Sequence, residues 1–376
     1  QVAALLDTQV AALQTADLVT LTANQVKALT TAQIQALTVD QVPHLLTAQV
    51  AALLDTQVAA LQTADLVTLT DAQVKALTTS QIQALTVDQT PNLLTSQVAA
   101  LLDTQVAALQ TADLVTLTDA QTQALTTSQI QALTTAQVPH LLTSQVAVLL
   151  DTQVAALQTA DLVALTANQV KALTTSQTQA LTAAQVPSLL TAQVAALLDS
   201  QVAAMQTADL VTLTANQVKA LTTAQIQALT VDQVPSLLTA QVAALLDTQV
   251  AALQTADLVT LTANQVKALT TSQIQALTVD QVPSLLTAQV ASLQDAQVAA
   301  LQTADLVTLT DAQVQALTTS QIQALVAAQV PHMLTSQVAS LLDAQVAALQ
   351  TADLVTLTAN QVKALTTAQI QALTVD

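Results

Sequence analysis

The chain lacks whole classes of residue. Its 376 residues include no glycine, cysteine, phenylalanine, tryptophan or tyrosine, and neither glutamate nor arginine occurs. Without cysteine there is no disulfide framework, no thiolate metal site and no cysteine nucleophile. Charge is scarce and one-sided, with 24 aspartates, 6 lysines and a formal net charge of −18. The alphabet that remains, mainly Ala, Leu, Val, Thr, Gln and Asp, is typical of a structural material rather than an enzyme.

The charge balance and the short apolar runs exclude two classes of partner. Nucleic acids and anionic membrane surfaces are bound by clustered cations, which this chain does not have. Gln, Thr or Asp interrupts every apolar run well short of the about 18 residues that indicate a membrane-spanning helix. We therefore expect neither a nucleic-acid partner nor membrane insertion.

A repeat of eight residues fills the chain. The octads QVAALLDT, QVAALQTA, DLVTLTAN, QVKALTTA, QIQALTVD and QVPHLLTA make a block of 48 residues, and 47 octads account for all 376 residues. Position 1 is Gln or Asp, position 2 is Val, Ile or Leu with rare Thr, and position 5 is Leu or Met. No linker interrupts the pattern, so we predict one continuous domain over residues 1–376, an excerpt of a longer array.

The octad favours a turn inside each repeat. A continuous helix would overshoot two turns by about 80° per octad, so its apolar stripe would wind around the axis. A strand would put positions 2 and 5 on alternating faces. The stretch LTTAQI instead combines a capping box, Thr30 with Gln33, and a hydrophobic staple, Leu29 with Ile34. We therefore predict one short helix per octad, with a core built from Val26, Leu29, Ile34 and Leu37.

The capping residues predict two registers. Thr22, Thr30 and Thr38 are expected to cap helices early in the junction, whereas Thr47 and Asp55 are expected to cap one residue later. Three early and three late caps divide the block into equal halves, which favours three octads per superhelical turn.

The prolines conflict with this helical pattern once per block. An early-capped helix would place Pro43, Pro91 and Pro139 in its fifth position, where proline is disfavoured. We predict a later helix start or a distorted corner there.

These elements predict an all-α solenoid of very short helices, six per block, in which each helix is stable only against its neighbours. With about 10 Å between stacked helices, such a coil would be on the order of 150 Å long. The alternative is a β-solenoid, which the Val, Ile and Thr content favours. Corners of β-solenoids use Gly, or Asn at positive φ, and this chain has no Gly.

The aspartates and histidines are the candidate ligands. Columns that begin at Asp7, Asp17 and Asp40 would form ladders of carboxylates, so they are calcium candidates, although Asp is also a good helix cap. The column that contains His44 and His140 also contains Asn and Ser, which indicates a solvated surface position. No unique nucleophile or acid–base pair stands out, and we expect no enzyme, no catalytic residue and no cofactor other than calcium.

The segments LTTAQIQALT and LTTSQIQALT resemble the Leu-Thr-Thr-x-Gln-Ile-x-Ala-Leu tandem repeats of very large bacterial exoproteins that carry a haem-utilisation or adhesion label. The resemblance covers all 47 octads. It implies an extracellular or cell-surface segment of a longer chain. No residue of this chain supports the haem part of that label.

Together these observations predict a structural, non-catalytic protein of the cell surface. It would act as a stiff spacer or stalk, or as the body of a surface fibre that associates end to end or laterally. An adhesive partner would then be bound by further domains. The alternative is a solenoid that binds calcium, glycans or peptides as a module of an adhesin.

Overall fold

A computed structural model describes residues 1–373 and divides the chain into two compact units, Gln1–Leu189 and Leu190–Asp376. Within the described residues every regular element is an α-helix or a 3-10 helix and no strand is present. The all-α prediction is therefore confirmed and the β-solenoid is excluded. The single continuous domain stays a prediction.

The first unit consists of helices of four to six residues and five 3-10 helices of three residues. The α-helices are α1 Asp7–Ala11, α2 Thr15–Leu18, α3 Ala23–Lys27, α4 Thr31–Gln35, α5 Thr47–Ala52, α6 Asp55–Ala60, α7 Thr63–Leu66, α8 Asp71–Ala76, α9 Thr79–Gln83, α10 Thr95–Ala100, α11 Asp103–Ala108, α12 Thr111–Leu114, α13 Asp119–Ala124, α14 Thr127–Ala132, α15 Thr143–Val148, α16 Asp151–Ala156, α17 Thr159–Ala164, α18 Ala167–Ala172 and α19 Thr175–Gln179. The 3-10 helices are η1 Val2–Ala4, η2 Val42–His44, η3 Thr90–Asn92, η4 Val138–His140 and η5 Val186–Ser188.

The second unit repeats the same elements. Its α-helices are α20 Thr191–Ala196, α21 Asp199–Ala204, α22 Thr207–Leu210, α23 Ala215–Ala220, α24 Thr223–Gln227, α25 Thr239–Ala244, α26 Asp247–Ala252, α27 Thr255–Leu258, α28 Ala263–Ala268, α29 Thr271–Gln275, α30 Thr287–Ser292, α31 Asp295–Ala300, α32 Thr303–Leu306, α33 Asp311–Ala316, α34 Thr319–Gln323, α35 Thr335–Ser340, α36 Asp343–Ala347, α37 Thr351–Leu354, α38 Ala359–Ala364 and α39 Thr367–Ala372. The 3-10 helices are η6 Val234–Ser236, η7 Val282–Ser284 and η8 Val330–His332.

A regular octad contains six helical residues followed by two extended ones. Helix α8 begins after the extended N-cap Thr70 and ends at Leu77, whose φ of −59° and ψ of 137° belong to extended backbone. The next residue, Thr78, is already the N-cap of α9. Helices commonly end in a left-handed residue, usually glycine, but no residue of 1–373 has a positive φ. Helices such as α8 therefore end in an extended leucine, and others, such as α4, end in a right-handed alanine, so none of them needs a glycine.

Two of the predicted early caps are N-caps in the structure. Thr22 and Thr30 each accept the backbone N–H of the glutamine three residues later, and that glutamine accepts the backbone N–H of the threonine through its Oε1. These are the capping boxes that the octad pattern predicts.

The late caps are wrong. Thr47 and Asp55 are the first helical residues of α5 and α6, and the N-caps are Leu46 and Leu54. The physical reason is Gln49, whose Oε1 accepts the backbone N–H of Leu46 at 2.7 Å. A glutamine at position 1 fixes the helix start three residues before it, whatever side chain stands there. All octads therefore share one register.

The proline octads are distorted and do not start later. The Thr38 backbone N–H still donates to Gln41 Oε1 at 2.9 Å, and the Gln41 backbone N–H donates to the Thr38 carbonyl oxygen at 2.9 Å. The chain then forms η2, with Pro43 in its first turn, in place of an α-helix. Pro91 and Pro139 lie at the same place in η3 and η4. Thr38 thus begins a turn that continues into the 3-10 helix η2 instead of an α-helix.

The core lies between successive coils. Val26, Leu29, Ile34 and Leu37 are all at most 5% exposed. Within each unit, helices that begin 24 residues apart contact each other, for example α5 with α8 and α25 with α28. Side-chain hydrogen bonds, however, reach residues 28 and 31 earlier. Helices therefore stack at an interval of three octads, the number that the capping pattern favours, while the side-chain bonds cross to the octad before the one that is stacked.

Candidate functional site

The residues predicted as ligands lie apart on the surface. Asp7 begins α1, Asp17 lies in α2 and Asp40 lies in the turn before η2, and all three are exposed. His44 and His140 are also exposed. In the part of the chain that the structure describes, no three His or Asp side chains form a group that could hold a metal ion.

None of the helices described here is both long and apolar enough to cross a bilayer.

The dominant polar feature is interior: the position-1 glutamine of each octad, which we call the clip glutamine. Gln81 accepts the backbone N–H of its own N-cap Thr78 through Oε1 at 2.7 Å. Its Nε2 donates to the backbone carbonyl oxygens of Val50 at 3.0 Å and of Leu53 at 2.6 Å. One side chain thus joins the start of its own helix to the end of a helix in the preceding coil.

The clip recurs with the same offsets in both units. Gln129 reaches the carbonyl oxygens of Val98 and Leu101, 31 and 28 residues earlier, and Gln321 reaches those of Val290 and Leu293. Clip glutamines are 1–3% exposed away from the first coil. Both amide hydrogens and the amide oxygen have partners, so burial leaves no polar group unsatisfied. Each bond contributes about 0.5–1.5 kcal/mol net, and its loss in the interior costs more.

One octad in each block replaces the clip glutamine with aspartate and places a glutamine at the N-cap, in the pattern Gln-Thr-Ala-Asp. The N-cap glutamine then makes the connection to the preceding coil. Gln62 Nε2 donates to the Gln35 carbonyl oxygen at 2.6 Å, and Gln254 Nε2 donates to that of Gln227 at 2.7 Å. Gln110 makes the same bond to Gln83.

The aspartates of these octads, which we call the buried aspartates, are 2% exposed and their Oδ2 atoms have no hydrogen-bond partner: Asp65, Asp113, Asp161, Asp257, Asp305 and Asp353. Burial raises the pKa of each carboxyl, to about 6 at Asp113. At Asp65 a hydrogen bond from the Gln62 backbone partly offsets this rise in pKa. An unpaired polar atom in the interior is costly, so these octads stand out from the rest of the repeat.

Serine and aspartate form a second connection between coils on the surface. Ser80 Oγ donates to Asp55 Oδ2, 25 residues earlier, and Ser128 donates to Asp103 in the same way. Alanine stands at the equivalent position in three blocks, as Ala32, Ala224 and Ala368. The bond is exposed, so it adds little to stability compared with the buried clip.

An open cleft in the second unit departs from the repeat. Its lining includes Asn264, Lys267, Ser292, Gln294 and Asp295. Gln294 Nε2 donates to the Lys267 carbonyl oxygen at 3.2 Å, so part of the polar lining is already engaged within the fold.

Sequence reasoning found the capping role of the position-1 glutamine and missed its bonds to the preceding coil. A signal was present: a capping box accepts Glu or Gln at N3, yet no octad has Glu. Only glutamine supplies both the acceptor for the N-cap and two donors for the carbonyl oxygens. Residue type alone makes the column that begins at Asp17 a row of calcium candidates or helix caps, and it does not predict the burial of these aspartates.

Short helices that stack only on nearby coils, held by one repeated interior clip, define the chain as an α-solenoid of octapeptide repeats. Residues 10–47, 58–95, 106–143, 154–191, 202–239, 250–287, 298–336 and 346–376 match the ALTTAQ repeat, and the chain belongs to this family. No curated protein sequence matches the chain.

Proposed function

We propose that the chain is a structural, non-catalytic component of the cell surface that acts as a stiff spacer. The observation that carries the proposal is the clip glutamine. Each clip ties an octad to the octad four positions earlier through two buried hydrogen bonds. Because every repeat is stabilised in the same way by its neighbours, the length of such a solenoid depends only on the number of repeats.

The repetition also supports a mechanical rather than a chemical role. A catalytic or specific binding site needs a distinct set of groups, whereas nearly every polar group here recurs at 8-residue or 48-residue intervals. Buried clips, and a core of Val, Ile and Leu with little internal variation, favour protease resistance and stiffness. The extracellular location rests on the resemblance to repeats of bacterial exoproteins.

The test compares particle lengths by electron microscopy at low protein concentration. The full chain is compared with a variant that lacks residues 97–240, which are three complete 48-residue blocks. Because whole blocks are removed, the residues on both sides of the new junction keep their positions in the octad and in the block. With about 10 Å per coil, we expect single particles shortened by on the order of 50 Å.

A matched control lacks residues 97–236, which shifts the register by half an octad. It should lose compact structure around the junction, because clips there no longer meet the carbonyl oxygens of positions 2 and 5. Lengths that do not change with the number of blocks would overturn the spacer proposal. Long filaments of constant width from the intact chain would replace it with a fibre that assembles from this repeat.

A further inference from the structure

The buried aspartates present an acceptor where the clip glutamines present donors. In Asp65 one carboxylate oxygen accepts the backbone N–H of the N-cap Gln62, just as Gln Oε1 does in the other octads. The second oxygen takes the place of the glutamine Nε2. It is buried and has no partner, although the clip position normally satisfies two carbonyl oxygens of the preceding coil.

The sequence offsets of the clip hydrogen bonds indicate which backbone groups face the second carboxylate oxygen. Gln254 bonds to the carbonyl oxygen of Gln227, so the start of this octad lies against the octad that contains α24. By the clip offsets of 31 and 28 residues, the carbonyl oxygens that correspond to those bound by a clip glutamine belong to Ile226 and Leu229, and we infer that the second oxygen of Asp257 faces them. An ionised carboxylate and two carbonyl oxygens are all acceptors, so no hydrogen bond can form among them. A carboxylic acid has the missing O–H donor.

We propose that each buried aspartate is a proton-binding site and that proton uptake creates a hydrogen bond from its side chain to the preceding coil. The ionised carboxylate takes one proton from water on Oδ2, and the resulting O–H donates to a backbone carbonyl oxygen of the octad four positions earlier. The solenoid is thereby tightened in acid at one octad per block.

Few charges surround the site in the second unit. Helix α27, which carries Asp257, packs on η6 and η7, and neither contains an ionisable residue. Asp232 and Asp280 precede these two helices and are exposed. In the following coil Asp295 is exposed as well, and its Oδ2 accepts from Ser320.

Few charges surround the buried aspartates of the first unit either. Helix α12, which carries Asp113, packs on η3, whose octad contains no ionisable residue and follows the exposed Asp88. Helix α17, which carries Asp161, packs on η4 and η5, and η4 contains the exposed His140. No cation from these elements compensates the buried carboxylates. Desolvation therefore decides their protonation, in agreement with the raised pKa of each carboxyl.

The sign of the pH effect follows from linkage. The pKa of Asp113 is about 6 in the folded chain, against an ordinary 3.8. Between these values the folded state binds more protons than the unfolded state, so stability decreases as pH rises. The contribution is fully present below about pH 4 and is lost as pH rises through about 6.

The test uses two seven-fold variants of the full chain. One carries Asp→Asn at the six buried aspartates and at Asp209, which is 5% exposed and whose pKa is also raised by burial, since asparagine supplies a neutral donor at any pH. The matched control carries Asp→Asn at seven exposed positions, Asp40, Asp71, Asp88, Asp119, Asp232, Asp280 and Asp311. Both remove the same charge, so general repulsion among the acidic residues falls equally. The thermal midpoint is measured from pH 4 to pH 8.

We expect the unmodified chain and the exposed variant to melt at higher temperature in acid, and the buried variant to keep the acid value throughout. Equal pH slopes for the two variants would overturn the proposal. Should the buried variant not fold, carboxyl carbon NMR of the unmodified chain decides: a set of carboxyls that titrates well above the others supports proton binding, and its absence contradicts it. If the thermal midpoint at pH 8 depended on whether the buffer contains Na⁺ or K⁺, the site would be assigned to a metal cation instead of a proton.

Discussion

The side-chain nitrogen of Gln81 lies 2.6 Å from the backbone carbonyl oxygen of Leu53, 28 residues earlier in the chain. Leu53 is the extended residue that ends α5, and Gln81 is the third residue of α9. The bond therefore joins one helix end to another helix start across the coil. Because it recurs at every clip, the position of one glutamine in the octad determines both where a helix begins and which octads stack.

Gln81→Glu should destabilise the coil around it. The carboxylate can still accept the Thr78 backbone N–H, but its second oxygen would face the carbonyl oxygens of Val50 and Leu53 without a donor. We expect a loss on the order of 3 kcal/mol, because a buried group is left unsatisfied and charged. Hydrogen exchange of the amides around Gln81 and Leu53 measures this local free energy.

The matched control for this change is Gln83→Glu, two residues further along the same helix. Gln83 is exposed, so the same chemical change should alter hydrogen exchange little. Similar losses at both positions would mean that charge alone is responsible and that the clip contributes nothing.

Leu149 and Leu150 are adjacent and should respond very differently to truncation. Leu149 is 6% exposed and Leu150 is 48% exposed. We expect Leu149→Ala to cost about 2–5 kcal/mol through lost burial and the cavity it leaves, and Leu150→Ala to cost well under half of that. Chemical denaturation of both variants checks the difference, and equal costs would contradict the assignment of position 5 to the core.

The short helices, their capping boxes and their apolar core follow from local patterns, so they could be predicted. Thr30, Gln33 and Ile34 lie within one turn of each other, and their roles depend on backbone geometry that any helix start shares. The absence of glycine was likewise informative, because it is compatible with helices that end in extended residues.

The stacking could not be predicted from the same patterns. It depends on where Gln81 Nε2 reaches, and nothing local to Gln81 indicates a partner 28 or 31 residues away. Side-chain type misled the assignment of Asp55, because aspartate is a strong capping residue in isolation. In the fold the nearby Gln57 fixes the helix start by accepting the Leu54 backbone N–H.

Leu150→Thr should stabilise the first unit. Leu150 is the N-cap of α16 and has the same extended backbone as the threonine caps, with φ of −71° and ψ of 152°. A threonine there would accept the Gln153 backbone N–H, as Thr78 does for Gln81 at 3.2 Å. We expect a gain of about 0.5–1 kcal/mol. Leu150→Val, which lacks the hydroxyl, is the control in the same thermal melt, and an equal effect of both changes would rule out capping as the cause.

Asp113→Gln should convert an aspartate octad into one with a complete clip. The fold accommodates both glutamines in one octad: Gln294 bonds to the Lys267 carbonyl oxygen while Gln297 bonds to that of Leu269 at 2.7 Å. We expect a gain of about 1–3 kcal/mol at pH 8, from two restored hydrogen bonds in the interior.

The gain from Asp113→Gln should shrink in acid, because the pKa of Asp113 is raised to about 6 by burial and the carboxyl is already neutral at pH 4.5. Thermal melts at both pH values measure the difference, with Asp119→Gln at the start of α13 as the exposed control. A gain of the same size at pH 4.5 and pH 8 would show that ionisation of Asp113 does not weaken the coil.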